Sequence, residues 1–167
     1  RSVYKVRNTV TLNEKINSSI GKISMALEYF FFRTGPFTMP PSQLGAFAKS
    51  HSNLKAPNLE WHVQPLSLEK FGSPLHTFNA ITPSVCNLQP TSRGSVKITS
   101  SSAYDYPKIQ LNYLSTPEDE SIAVESLKFT RRIMKASAFD HFFPEELLPG
   151  KDIVSNEGLL NSARNIG

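Results

Sequence analysis

The stretch from Ile81 to Thr99 limits the fold more than any other part of the chain. Ile81 to Leu88 reads as a strand, with Val85 and other apolar residues bounded by turn formers. Thr91-Ser92-Arg93-Gly94 reads as a turn, and Ser95 to Thr99 as the strand returning from it. Gly94 is expected to supply the positive φ of a tight hairpin. Strands joined this closely pair antiparallel, because a parallel neighbour needs a crossover of roughly a dozen residues or more.

The rest of the pattern agrees with an antiparallel sheet. Leu59 to Leu66 alternates, with Leu59, Trp61 and Val63 against Glu60, His62 and Gln64. A period of two means a half-buried strand with one polar face. Gln43 to Lys49 holds a short apolar stretch, and Lys108 to Asn112 a short extended piece. Leu12 to Arg33 reads as a helix with Ile16, Ile20, Ile23, Leu27 and Phe30 on one stripe, weakened at Gly21 and stopped at Gly35-Pro36. The clearest helix runs from Thr116 to about Ala136. Thr116 caps it, Pro117 fits its first position, and Glu118, Asp119 and Glu120 suit the positive end of its dipole. Arg131 and Arg132 are expected to be solvated at its end. Phe139 to Phe143 reads as a helical turn, and Ser155 caps a last helix reaching about Arg164. Strands and helices do not alternate as in a parallel series. The expected class is α+β, one domain over residues 1–167, with an antiparallel sheet packed by helices on one face.

Composition removes several functions. The net charge is +4, but the basic residues are scattered and Arg131-Arg132 is the densest pair, so nucleic acid is not an expected partner. The single cysteine, Cys86, excludes an intrachain disulfide, expects a reducing compartment, and is expected to pack as a small apolar side chain. A cytoplasmic place follows as the expectation, with attachment at the periphery of an inner membrane as a variant. No apolar run has transmembrane length. The chain starts at Arg1 and stops at Gly167, and both ends read as cuts.

No catalytic signature stands on its own. There is no Gly-x-Gly-x-x-Gly and no Gly-x-Ser-x-Gly. His51, His62, His76 and His141 have no Cys or carboxylate partner at metal-ligand intervals, so no metal is expected.

One long segment carries more. Asn87 to Glu120 reads NLQPTSRGSVKITSSSAYDYPKIQLNYLSTPEDE, a strand, a Pro-x-Ser-Arg-Gly turn, a Ser-rich loop, Ile-x-x-Asn-Tyr-Leu and an acidic helix start. GPFTMPPSQLGAF (Gly35 to Phe47), PNLEWHVQPL (Pro57 to Leu66) and TRRIM (Thr130 to Met134) accompany it. Together these resemble the glucose–methanol–choline (GMC) oxidoreductases, choline dehydrogenase-like members above all. The resemblance implies an FAD-dependent alcohol oxidoreductase that passes hydride from an alcohol to the flavin. It also implies that this chain is the substrate-binding region, without the flavin-binding part and the catalytic His segment. FAD is expected in the full-length enzyme and not on this chain, which is expected to be inactive alone. A stand-alone binding module of the same ancestry is the alternative.

Four residues are the expected substrate-binding set. Gln43 falls where choline-oxidising relatives carry a Glu, and Asn87 where choline oxidases have a pocket His. An amide cannot neutralise a quaternary cation, so a small neutral alcohol is the expected substrate. His62 and Gln64 share the polar face of one strand. Trp61, on the other face, is expected in the core. Arg93 is expected to be structural, and Tyr104, Tyr106 and Tyr113 to pack on sheet edges. Phe30-Phe31-Phe32 is wider than one helix face, so the missing flavin domain or a second copy of the chain is the expected partner there.

Overall fold

The computed structural model describes residues 1–40, 42–70 and 72–166. Pro41, in the expected proline turn, Phe71, at the head of the stretch expected to be irregular, and Gly167 lie outside the described residues.

Five strands form one sheet: β1 (Val3–Lys5), β2 (Leu44–Ala48), β3 (Leu59–Gln64), β4 (Ala80–Asn87) and, last in the chain, β7 (Glu145–Leu148). Their order is β2-β3-β4-β1-β7 and every pairing is antiparallel. Between them in sequence, β5 (Ser95–Lys97) and β6 (Lys108–Gln110) make a separate two-stranded antiparallel ribbon. The described residues also form the α-helices α1 (Leu12–Asn17), α2 (Ser19–Phe32), α3 (Pro117–Met134) and α4 (Asn156–Ile166). The α+β class with an antiparallel sheet is what the sequence led us to expect.

The expected hairpin is re-routed. β4 does not pair with β5; it is flanked by β3 and β1. Thr91 to Gly94 is the passage from the sheet to the ribbon. Gly94 does not have the positive φ expected of it. It is required for another reason: a Cβ there would run into the backbone oxygens of Gln110 and Leu111. The chain leaves the sheet because the Thr91 and Ser92 N–H groups turn to the Asp119 carboxylate at the start of α3, both at 2.9 Å.

α3 lies on one face of the sheet. The alternation of β3 puts Leu59 and Trp61 inward, where they form a core cluster with Ile122 of α3. Trp61 and Phe129 rings meet at 5.0 Å, and the Trp61 indole N–H donates to Thr130 Oγ1 at 2.8 Å. Each such large apolar side chain contributes about 1.5–3 kcal/mol when fully buried. A second cluster, Val124, Leu127 and Leu159, fixes α4 on α3. Thr116 caps α3 as its sequence implied, accepting from Asp119 N.

Three expectations fail here. The helix expected over Leu12 to Arg33 breaks at Ser18, before Gly21, because Ser18 is extended and caps α2 through Gly21 N. Of its apolar stripe, Ile20, Leu27 and Phe30 are exposed, and Met25 is buried. Arg131 is not solvated. It grips Glu146 through two N–H groups, at 2.7 and 2.9 Å, and donates to the carbonyls of Gly150 and Ile153. Tyr104, Tyr106 and Tyr113 also stand exposed instead of packing on sheet edges.

Candidate functional site

The register of the sheet sorts the candidate residues by face. Leu59 faces Asn87 across the β3–β4 ladder, Trp61 faces Val85, and Val63 faces Pro83; this is the α3 side. Glu60 faces Cys86, His62 faces Ser84 and Gln64 faces Thr82 on the other side. On β2, Phe47 lies opposite Glu60 and Gly45 opposite His62. The second face therefore presents Phe47, Glu60, His62, Gln64, Ser84 and Cys86, on the side away from α3.

His62 is exposed, and its Nε2 lies 3.3 Å from Glu60 Oε1. Gln64 is half-buried beside it. Gln43 stands just before β2, exposed, with its amide N–H group 2.7 Å from Met39 Sδ. It edges an apolar cavity of about 310 Å³ between sheet and α3, lined also by Trp61, Val63, Thr130, Met134 and Phe142.

Asn87 is not with the other three. Its side-chain N–H donates to Asp119 Oδ1 at 3.2 Å, and its own oxygen accepts from Gln89 N at 3.0 Å. It borders a larger cavity of about 640 Å³ between the ribbon, α3 and α4, lined also by Ser92, Gly94, Tyr113, Asp119 and Leu127. The structure thus joins His62 and Gln64, leaves Gln43 at a rim, and sends Asn87 to the opposite side. Period-two alternation shows which residues of one strand share a face. It does not show how two strands are registered.

Sequence reasoning missed the anchor of this region. Asp119 is buried, and burial alone would raise its carboxyl pKa. Hydrogen bonds from Ser92 and Thr91 outweigh that and bring it down to about 2. The signal was the acidic triplet after Thr116, which reads as helix-dipole dressing when only spacing is considered. Cys86 is exposed, against the expectation of a packed thiol; partial burial and then Glu60 hold its pKa above the ordinary value. Arg93 donates to the carbonyls of Pro90 and Ser92.

Residues 90–165, which hold the ribbon, α3, β7 and most of α4, match the family model described as GMC oxidoreductase. The chain is related to the GMC oxidoreductases. An oxygen-dependent choline dehydrogenase of Staphylococcus aureus (strain JH9) is 32% identical over 143 residues, which are 86% of this chain and 25% of that protein. Among solved structures, formate oxidase superposes with a TM-score of 0.84 at 18% identity, covering 98% of this chain and 33% of that one. An FAD-dependent oxidoreductase from Chaetomium thermophilum gives a TM-score of 0.75 at 16% identity over 98% of this chain and 35% of that one. These two likenesses establish the fold. The chain spans about a quarter of the length of the curated relatives it matches.

The chain carries no dinucleotide cradle of the Gly-x-Gly-x-x-Gly kind to hold a pyrophosphate. The starts of α2, α3 and α4 are capped by Ser18, Thr116 and Ser155 of the chain itself. Among the described residues no helix is long and apolar enough to cross a membrane.

Proposed function

We propose that the open face of β3 and β4 is the substrate-facing wall of an FAD-dependent alcohol oxidoreductase of the GMC type. The observation that carries this reading is the register: His62 and Gln64 project together from a stiff antiparallel sheet whose other face is filled by α3. A wall of this kind orients a small alcohol and excludes water, while the oxidising chemistry belongs to the cofactor. His62 and Gln64 supply hydrogen bonds to a hydroxyl on this face. A neutral alcohol suits the uncharged amide of Gln64, and the Glu60 carboxylate on the same face is turned to His62.

The partner of the wall is a flavin-binding domain. Exposed Phe30, Phe31 and Phe32 on α2 support the presence of a covering protein surface, since patches of this kind mark interfaces. The 167-residue chain alone is inactive in this reading.

The test is a transplant. The 143-residue segment of the S. aureus choline dehydrogenase that aligns here is replaced by its counterpart from this chain. The hybrid is expected to oxidise neutral primary alcohols in preference to choline. Undiminished preference for choline in an active hybrid contradicts the reading. In parallel, the purified chain with FAD, an alcohol and a dye acceptor is expected to give no sustained dye reduction. Sustained reduction removes the claim of inactivity.

A further inference from the structure

The sheet brings together three side chains from two neighbouring strands. Glu60 and His62 are two residues apart on β3, so they share a face. Cys86 lies directly opposite Glu60 on β4. The two carboxylate oxygens of Glu60 divide between the neighbours: Oε1 is 3.3 Å from His62 Nε2, and Oε2 is 4.0 Å from Cys86 Sγ. The three ligand atoms all lie within 4.8 Å of one another. In a tetrahedral zinc site, donors at about 2.0–2.3 Å from the ion sit about 3.4–3.7 Å from each other, so side-chain rotations suffice to close the set.

We infer that Glu60, His62 and Cys86 form a three-ligand site for a borderline divalent transition ion, with Zn²⁺ as the type ion. A thiolate, an imidazole and a carboxylate suit Zn²⁺ and its neighbours, while Mg²⁺ and Ca²⁺ call for oxygen donors. Binding displaces the Cys86 thiol proton to solvent. The ion, the thiolate and the carboxylate then sum to zero charge, with a neutral imidazole as third ligand.

The fourth position is open. Gly45 lies opposite His62 on β2 and contributes no side chain. A Cβ placed at Gly45 would make an ordinary contact with the Trp61 carbonyl oxygen at 3.7 Å, so the glycine leaves more room beside His62 than a larger residue would. Three protein ligands with one open position are the pattern of zinc sites that exchange a ligand. The inference does not rest on the proposed alcohol chemistry, although His62 belongs to both.

The test uses the 167-residue chain with Zn²⁺ and Co²⁺ salts. Calorimetry with Zn²⁺ is expected to show one ion per chain. Co²⁺ is expected to give a thiolate-to-cobalt charge-transfer band. Cys86→Ser abolishes that band, and Cys86→Ser and His62→Ala each weaken Zn²⁺ binding by at least about tenfold, the loss seen even for outer-shell partners. His51→Ala leaves both readouts unchanged. Both ligand positions are exposed, and an unchanged circular dichroism spectrum verifies that each variant is folded. Absence of Zn²⁺ binding, a missing cobalt–thiolate band, or binding that Cys86→Ser and His62→Ala leave intact overturns the site.

Discussion

Asp119 holds two successive backbone N–H groups of a distant turn, Thr91 on one carboxylate oxygen and Ser92 on the other, each at 2.9 Å. This clasp, and not a hairpin, sets where the chain leaves the sheet. Removing the carboxylate by Asp119→Ala leaves the Thr91 and Ser92 N–H groups, at a part-buried position, without their charged partner. Each charged hydrogen bond lost costs about 1.5–3 kcal/mol, so a loss of roughly 3 kcal/mol or more is expected in urea unfolding. An unchanged midpoint contradicts the clasp.

The same carboxylate makes stability fall in acid. Burial works to raise its pKa, but the hydrogen bonds from Ser92 and Thr91 bring it to about 2, below its value in the unfolded chain. A depressed folded pKa means that the contribution is complete above about pH 4–5 and fades as pH falls toward 2. Asp119→Asn is expected to lose less stability than the parent over that acid range. Parallel acid curves for the two proteins contradict this assignment.

Much of α3 was legible because its start carries several independent signals: a Thr cap, a first-position Pro and acidic residues in the first turn. The faces of β3 were legible from alternation alone. The pairing partner of β4 was not, because nothing local says that Asp119 diverts Thr91 and Ser92. For the same reason the candidate residues were legible as types and not as a group. Asn87 and His62 project from opposite faces, and only the β3–β4 register shows it. The short strands β1 and β7, three and four residues long, carry too few residues for a period to show. The Cys86–Glu60–His62 cluster was invisible in spacing because its members meet across two strands.

Arg131 and Glu146 form a forked pair with side chains 16% and 8% exposed, tying α3 to β7. Tyr4 donates to Glu146 as well, at 3.3 Å. Breaking one partner strands a desolvated charge, so Arg131→Met is expected to cost about 3–5 kcal/mol. The double change Arg131→Met with Glu146→Leu is expected to cost less than that single change. A double variant at least as unstable as the single contradicts the burial argument.

Gly94→Ala forces the ribbon apart, because the added methyl meets the Gln110 and Leu111 carbonyls. Crowding of this kind costs about 1–3 kcal/mol. Hydrogen exchange is expected to accelerate at Ser95–Lys97 and Lys108–Gln110, leaving β3 and β4 protected. Unaltered exchange in the ribbon contradicts the close approach.

Phe30, Phe31 and Phe32 are 68%, 66% and 73% exposed on α2. Sedimentation velocity at rising concentration is expected to show self-association of the purified chain, reduced by Phe31→Ser with Phe32→Ser. A monomer at every concentration contradicts an adhesive α2.

Which face of the sheet meets substrate decides the proposed function. In the hybrid enzyme, kcat/KM for a neutral alcohol is measured for His62→Ala, Gln64→Ala and Asn87→Ala. The open-face variants are expected to lose roughly tenfold or more, as removal of a hydrogen bond to substrate does, with thermal stability unchanged. Asn87→Ala is expected to lower stability through Asp119 and to leave relative alcohol preference as it was. A large change of preference from Asn87→Ala, with His62→Ala and Gln64→Ala silent, contradicts the account and moves the substrate to the other side of the sheet.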